Sequence, residues 1–141
     1  MLTIKTPLLT VDCVVFYKKS VLLIKRKNSP YKNHLALPGG FVDIGETVEY
    51  ACLRELKEET GLQLKHSDIK LVGVYSKPNR DPRRDTVSIA YYSRIFKKKN
   101  IKAGDDATSI EFLDNWNKKK LAFDHGLIIK DAFLKFKNEK I

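Results

Sequence analysis

Residues 39–62 read GGFVDIGETVEYACLRELKEETGL, a stretch that crowds Glu55, Glu58 and Glu59 together in a chain whose formal charge is +10. Thr47 suits an N-cap, apolar residues recur near the helical period, and Gly61 suits a left-handed stop, so the spacing predicts a helix over residues 46–60. At about 100° per residue, with Ala51 at zero, Glu58 falls at roughly −20°, Glu55 at roughly 40° and Glu59 at roughly 80°. Val48, Cys52 and Leu56 fall at roughly 60°, 100° and 140°, so the carboxylates share the apolar side while Tyr50, Arg54 and Lys57 take the opposite arc. Like charges at this spacing repel, and an inward carboxylate without a partner costs several kcal/mol of desolvation. Two arrangements would meet that cost. One is a solvated acidic helix end with Arg54 and Lys57 as ion-pair partners. The other is a hard divalent ion such as Mg²⁺ or Mn²⁺, which takes oxygen ligands and keeps waters and substrate phosphates in its shell. Helical geometry alone does not choose between them.

Around this segment the chain has the length of one domain, read as residues 1–141, and a domain of that size buries about 70% of its unfolded surface. The apolar fraction of 43% and charged fraction of 31% are those of a globular chain, without any apolar run long enough to span a membrane. The N-terminus, MLTIKTPLLTVDCVVFYKK, lacks the basic start and small-residue cleavage site of a signal peptide, and a cytoplasmic location is the expectation. Cys13 and Cys52 sit in apolar patterns and read as reduced core residues rather than a disulfide framework. The positive charge is scattered in short runs, such as Lys97, Lys98, Lys99 and Lys118, Lys119, Lys120. These read as solvated faces, so no nucleic-acid partner is expected.

No repeat or low-complexity tract is present. Residues 8–17, LLTVDCVVFY, and 20–27, SVLLIKRK, are apolar and β-branched around a two-residue polar break, which suggests a hairpin. HLALP reads as a short strand running into Gly39 and Gly40; KLVGVYS, TVSIAYYSRIF and TSIEFL read as further strands, the last after a turn at AGDDA. A final helix starting near Asp124 carries Leu127, Ile128, Ala132, Phe133 and Phe136. The order, strands around one early and one late helix, is α+β rather than a βαβ repeat.

The spacing of the opening segment decides between the two arrangements. Gly40, Glu46, Arg54, Glu55, Leu56, Glu58, Glu59, Gly61 and Leu62 fit G-x5-E-x7-R-E-U-x-E-E-x-G-U throughout, with U apolar. At average residue frequencies a chance match is on the order of 1 in 10⁷ or rarer. This is the Nudix box, and the chain resembles the Nudix hydrolases, which cleave nucleoside diphosphates linked to another moiety. The resemblance implies a mixed β-sheet sandwiched between helices, α/β/α. It implies Glu55 and Glu59 as the main metal ligands, Glu58 as a third ligand or the base, Gly39 as a backbone ligand, and Mg²⁺ as the ion with Mn²⁺ as a substitute. Arg54 would hold the carboxylates in position and Glu46 would brace the loop, and both residues also fit a purely structural role.

A second signal concerns substrate. Fifteen residues separate Leu62 from Pro78, and a proline at that distance is similar to the ADP-ribose pyrophosphatase branch, as are SKPNRDPRRDTVSIAYYS, AGDDA and LAFDH. That likeness covers nearly the whole chain and implies a nucleotide substrate, ADP-ribose, cleaved to AMP and ribose 5-phosphate. The segment departs from the branch where Arg84 and Asp85 stand in place of glycine and histidine. Pro78, Arg80 and Arg83 are the candidate substrate-binding residues; the two arginines have the guanidinium forks that match phosphate oxygens, although a rigid turn with ion pairs would use the same residues. Asp105 and Asp106 could present a late carboxylate to the metal or form an ordinary turn. Asp124 reads as an N-cap more readily than as a substrate contact, with His125 beside it; Tyr75 and Phe123 read as core more readily than as stacking partners. His34 and His66 have no metal-site spacing. Other Nudix substrates, namely 8-oxo-dGTP, NADH and dinucleoside polyphosphates, remain alternatives. So does a non-catalytic ADP-ribose sensor, which the complete box and the length of 141 residues disfavour. A homodimer is expected by analogy with the branch.

Overall fold

A computed structural model describes residues 3–98, 101–104 and 107–139; Lys99, Asp105 and Asp106 lie outside the described residues. The strands are β1 (Leu8–Tyr17), β2 (Ser20–Arg26), β3 (Leu35–Ala36), β4 (Gly39–Phe41), β5 (Lys70–Tyr75), β6 (Thr86–Ile95) and β7 (Ala107–Leu113), with helices α1 (Val48–Thr60) and α2 (His125–Asn138). The main path of the sheet runs β3-β2-β1-β6-β5, with β4 beside β1 and β7 beside β2. β1 and β6 run parallel from Leu8 opposite Thr86 to Tyr17 opposite Ile95, and the other pairings are antiparallel. The expected β1–β2 hairpin is present. It turns through Lys18 and Lys19, with Lys18 at a φ of 53°.

β1 is central, and its side chains alternate between two cores as the strand period requires. Val11, Cys13 and Val15 pack with Ala51, Cys52 and Leu56 of α1 on one face. Val14 and Phe16 pack with Ile128, Ile129 and Ala132 of α2 on the other. The helices thus cover opposite faces of a mixed sheet, the α/β/α sandwich expected. Cys13 and Cys52 are buried and free, as their core reading required. Among the described residues no helix is long and apolar enough to cross a membrane.

α1 starts at Val48 rather than 46 because Thr47 is its cap, accepting a hydrogen bond at Oγ1 from the Tyr50 N–H at 3.1 Å. It stops at Gly61, whose φ of 77° favours a residue without Cβ and whose N–H reaches the Lys57 carbonyl at 2.8 Å. Beyond that stop, residues 101–104 return to satisfy the helix end. Lys102 N–H donates to the Thr60 carbonyl at 2.8 Å and Gly104 N–H to the Glu59 carbonyl at 2.7 Å. A Cβ on Gly104 would lie 2.0 Å from the Glu58 carbonyl oxygen, so the segment that seats the glutamate-bearing turn requires glycine there. Gly104→Ala should therefore lower stability by about 2 kcal/mol, the scale of an overpacking defect. Urea unfolding measures it, and an unchanged midpoint would show that the segment does not seat this turn.

Candidate active site

The box loop closes onto its helix through one guanidinium. Arg54 Nε and Nη2 donate to the two oxygens of Glu46 at 2.9 and 2.6 Å, and Nη2 also reaches the Phe41 carbonyl at 3.0 Å. Arg54 Nη1 donates to Glu55 Oε1 at 3.0 Å and Glu58 Oε2 at 3.1 Å. Glu46 Oε1 in turn accepts the Asp43 N–H at 2.7 Å. The Arg54 hydrogen bonds, with help from the Asp43 amide, hold the Glu46 carboxyl down at about 2. Glu46, foremost among its neighbours, keeps Arg54 above the ordinary arginine value. Arg54 and Glu46 therefore form the brace expected of them, while Lys57 makes no ion pair among the described residues.

The three glutamates do not share one environment. Glu59 is 6% exposed and Glu55 is half-buried, but the Glu58 side chain is 58% exposed, held outward by Arg54. This corrects the expectation that all three lie on the apolar side: the i,i+4 pair with Arg54 draws Glu58 away from it. Burial pushes the Glu59 carboxyl up to about 9, reinforced by the hydrogen bond and charge of Glu55 and opposed by a hydrogen bond from the Gly39 backbone. Burial also raises Glu55, against hydrogen bonds from Glu59 and Arg54.

The glycines of β4 allow this pair its position. A Cβ on Gly40 would lie 2.5 Å from Glu55 Oε1, and one on Gly39 would lie 2.1 Å from the Val11 carbonyl oxygen and 2.6 Å from Asp12 Oδ1. Glu59 Oε2 is buried without a hydrogen-bond partner among the described residues. A hard cation fits that orphaned oxygen, since Glu55, Glu59 and the Gly39 carbonyl offer only oxygen donors. No three histidine, cysteine or carboxylate side chains converge as a metal site among the described residues. A cation here would draw its remaining ligands from backbone, water and substrate phosphate, as Mg²⁺ commonly does.

Glu55, Glu59, Gly39 and Gly40 line a cleft of about 460 Å³ whose other walls include Arg26, Lys27, Arg83 and Phe123. Arg83 Nη2 and Nε hold the buried Asp81 at 2.8 and 3.1 Å. Burial works against charge on Asp81, but the side-chain and backbone hydrogen bonds of Arg83 outweigh it and keep the carboxyl below its ordinary value. Arg80 also lines the cleft but is almost wholly buried. It grips Asp124 through Nε at 3.0 Å and Nη2 at 2.7 Å, and Thr86 Oγ1 through Nη1 at 3.0 Å. Arg80, expected as an open phosphate clamp, instead anchors its loop to the start of α2 and the start of β6. Asp124 occupies the N-cap position of α2 without capping it by its side chain, because Arg80 takes both carboxylate oxygens. Pro78 is exposed and lies outside the cleft lining.

Phe123, read from the sequence as core, stands at a φ of 52° in the cleft wall, with the guanidinium carbons of Arg26 and Arg83 at 5.0 and 5.9 Å from its ring centroid. Tyr75 is half-buried and donates to Asp131 Oδ2 at 2.7 Å. Among the lining residues that escaped the sequence reading are Arg26, Lys27 and Asp12. Asp12 left a signal: it is the one charge within an apolar strand, and strand alternation sets it on the buried α2 side with Val14 and Phe16.

Known proteins share this architecture. The family model described as NUDIX domain matches residues 6–129. An ADP-ribose pyrophosphatase of Methanocaldococcus jannaschii is 52% identical over 132 residues, which cover 94% of this chain and 76% of that protein. A MutT/nudix family protein from Enterococcus faecalis superposes with a TM-score of 0.88 at 36% identity, covering 98% of this chain and 65% of that one, just under two thirds of its length. The NUDIX domain of Shewanella oneidensis NrtR, crystallised with ADP ribose, superposes with a TM-score of 0.85 at 29% identity, covering 94% of this chain and 90% of that one. With a box that matches at every fixed position and a family match over most of its length, the chain belongs to the NUDIX family.

Proposed function

We propose that this chain is a NUDIX pyrophosphohydrolase that cleaves ADP-ribose to AMP and ribose 5-phosphate with a divalent cation, Mg²⁺ or in its place Mn²⁺. The observation that carries the reading is the buried Glu59, with its orphaned oxygen, beside the half-buried Glu55 in a cleft whose other walls hold Arg26, Lys27 and Arg83. A bound cation would polarise a phosphoryl oxygen, offset charge on the leaving phosphate and acidify an attacking water. Glu55, Glu59 and the Gly39 carbonyl are the groups proposed to hold it. Glu58, exposed to solvent and tethered by Arg54, is proposed as a third ligand or as the base that accepts the water's proton. Arg83 is proposed to contact the diphosphate, and Arg80 to fix the loop that presents it. The substrate is supported by the 52% identical ADP-ribose pyrophosphatase and by the NUDIX domain crystallised with ADP ribose. The reading further places the chain in the cytoplasm as a homodimer acting on a small-molecule nucleotide.

Chromatographic product analysis with ADP-ribose, NADH, 8-oxo-dGTP and diadenosine polyphosphates, each with Mg²⁺ and with chelator, tests the proposal. AMP released from ADP-ribose well above the others, and lost on chelation, is the expected result. Preference for another compound would replace the substrate and keep the glutamate chemistry. Calorimetric binding of ADP-ribose without turnover in Mg²⁺ would instead indicate a sensor.

Two substitutions separate the roles. Glu59→Gln should cut turnover more than about 100-fold while the far-UV circular dichroism is unchanged, since it removes a ligand oxygen's charge. Retained activity would remove Glu59 from the metal set. Arg83→Ala should raise KM about 10-fold, the worth of a charge-assisted hydrogen bond, and should also lower the melting temperature, because the Arg83 N–H alone, at 2.9 Å, is left to hold the buried Asp81. An unchanged KM would place Arg83 outside the substrate site.

The carboxylate pair also predicts a pH dependence. The folded-state Glu59 carboxyl, at about 9, lies above its ordinary value of 4.5, so between these the native state holds a proton that the unfolded state has lost. Metal-free stability should therefore fall as pH rises through that window. Thermal melts in chelator should show the decline, and Glu59→Gln should flatten it; a wild-type melting temperature independent of pH would contradict the burial of this charge.

A further inference from the structure

Asp12 is a buried carboxylate, 6% exposed, in the middle of β1, and the proposed chemistry does not use it. Three donors converge on it from three elements. Ser88 Oγ of β6 donates to Oδ2 at 2.5 Å, Arg80 Nη2 of the loop before β6 lies 3.8 Å from Oδ2, and His125 Nε2 at the start of α2 lies 3.2 Å from Oδ1. The Leu37 N–H donates to His125 Nδ1 at 2.9 Å, which requires a lone pair there and leaves Nε2 to carry the proton toward Asp12. Asp12 therefore orients the imidazole, and the imidazole holds the backbone at Leu37.

Leu37 is two residues before Gly39, whose carbonyl is proposed to face the cation and whose backbone hydrogen-bonds Glu59. Asp12 is also the direct register partner of Gly39 across the β1–β4 pairing, with Oδ1 packed where a Cβ of residue 39 would stand. The Pro38 carbonyl between them accepts from the Cys13 N–H at 2.9 Å. Leu37, Pro38 and Gly39 are thus fastened at successive positions, and the Leu37 fastening runs through the pair of side chains Asp12 and His125. We propose that Asp12 is a positioning residue which, through His125, sets the Leu37–Gly40 backbone in the geometry that completes the cation site. The proposal rests on the reading of Glu55, Glu59 and Gly39 as the metal-holding set.

Orienting partners of this kind typically change metal affinity 10- to 100-fold when removed. An asparagine at position 12 is nearly isosteric but neutral: with its N–H₂ turned to the Ser88 hydroxyl, which can accept, its oxygen offers the His125 N–H a weaker, uncharged acceptor and leaves no carboxylate facing Arg80. Mn²⁺ binding by calorimetry on the full chain, without substrate, is the test. Asp12→Asn and His125→Ala should each weaken Mn²⁺ binding about 10-fold, and the double variant should be no weaker than the weaker single, because both act through one contact. A purely structural role would lower the melting temperature of Asp12→Asn and leave its Mn²⁺ affinity within twofold of wild type, and that result overturns the proposal. Additive losses in the double variant overturn it equally. If Asp12→Asn does not fold, Ser88→Ala, which removes one donor and keeps the carboxylate, decides: a loss of about 3-fold in Mn²⁺ affinity supports the proposal and no loss sinks it. Failure of the wild-type chain to bind Mn²⁺ would reject the metal reading itself, an outcome distinct from failure of the Asp12 variants alone.

Discussion

Arg54 is the constraint on which the site depends. One guanidinium meets Glu46, Glu55 and Glu58 as well as the Phe41 carbonyl, so it ties the loop after β4 to the helix that follows. Its fork geometry does what a lysine ammonium would not, because five fixed donors reach several acceptors in one plane. The two shortest of these contacts to side chains go to Glu46, which leaves Glu55 and Glu58 one bond each and Glu59 none. The brace holds the glutamates in place without neutralising them, which is the condition a cation site needs.

The rest follows from the alternation of β1. Odd-numbered positions 11, 13 and 15 build the core under α1, and even-numbered positions 14 and 16 build the core under α2. Asp12 belongs to the even set by parity, so it lies where α2 begins and where His125 can meet it. Ser88, even-numbered like Ala90 and Tyr92 on the neighbouring strand, reaches the same face from β6. A polar cluster is thus set into an otherwise apolar layer, and it lies at the end of that layer which opens into the cleft.

The elements were legible from the sequence because their signals are local. The Thr47 cap and the Gly61 stop are each a residue type in a conformation that favours it, and these and the Lys18–Lys19 break stand where the pattern put them. The box glutamates were legible by spacing, but the angular reading placed Glu58 inside because a helical wheel knows nothing of Arg54 reaching back along the axis. The loop of Arg80 and Arg83 was misread in part for a related reason. Both arginines hold carboxylates, Arg83 the nearby Asp81 and Arg80 Asp124, 44 residues away, with Asp12 beyond it, and local pattern does not connect these last two to Arg80. Phe123 does pack on the apolar cluster of Ile24, Ala36 and Ala122, as its core reading expected, and what its sequence context does not announce is the positive φ with which it also joins the cleft wall.

The charge balance then has a physical sense. A chain with a net charge of +10 could have satisfied its box with lysines, yet among the described residues no lysine pairs with Glu55, Glu58 or Glu59, and the one guanidinium present is shared with Glu46. The remaining cationic side chains of the cleft, Arg26, Lys27 and Arg83, stand in other parts of its wall, with Arg83 and Arg26 gathered at Phe123. An anionic ligand entering such a cleft meets positive side chains on one part of the wall and, on the other, carboxylates that repel it. A cation standing between them would remove that repulsion, so under the proposed reading binding of a diphosphate and binding of a metal would reinforce each other. Burial of Glu59 sharpens the coupling, because desolvation disfavours the bare carboxylate and leaves the cation-bound form as the way to keep it charged near neutral pH. The desolvation that raises the Glu59 carboxyl is therefore the feature on which the proposed coupling of metal and diphosphate rests.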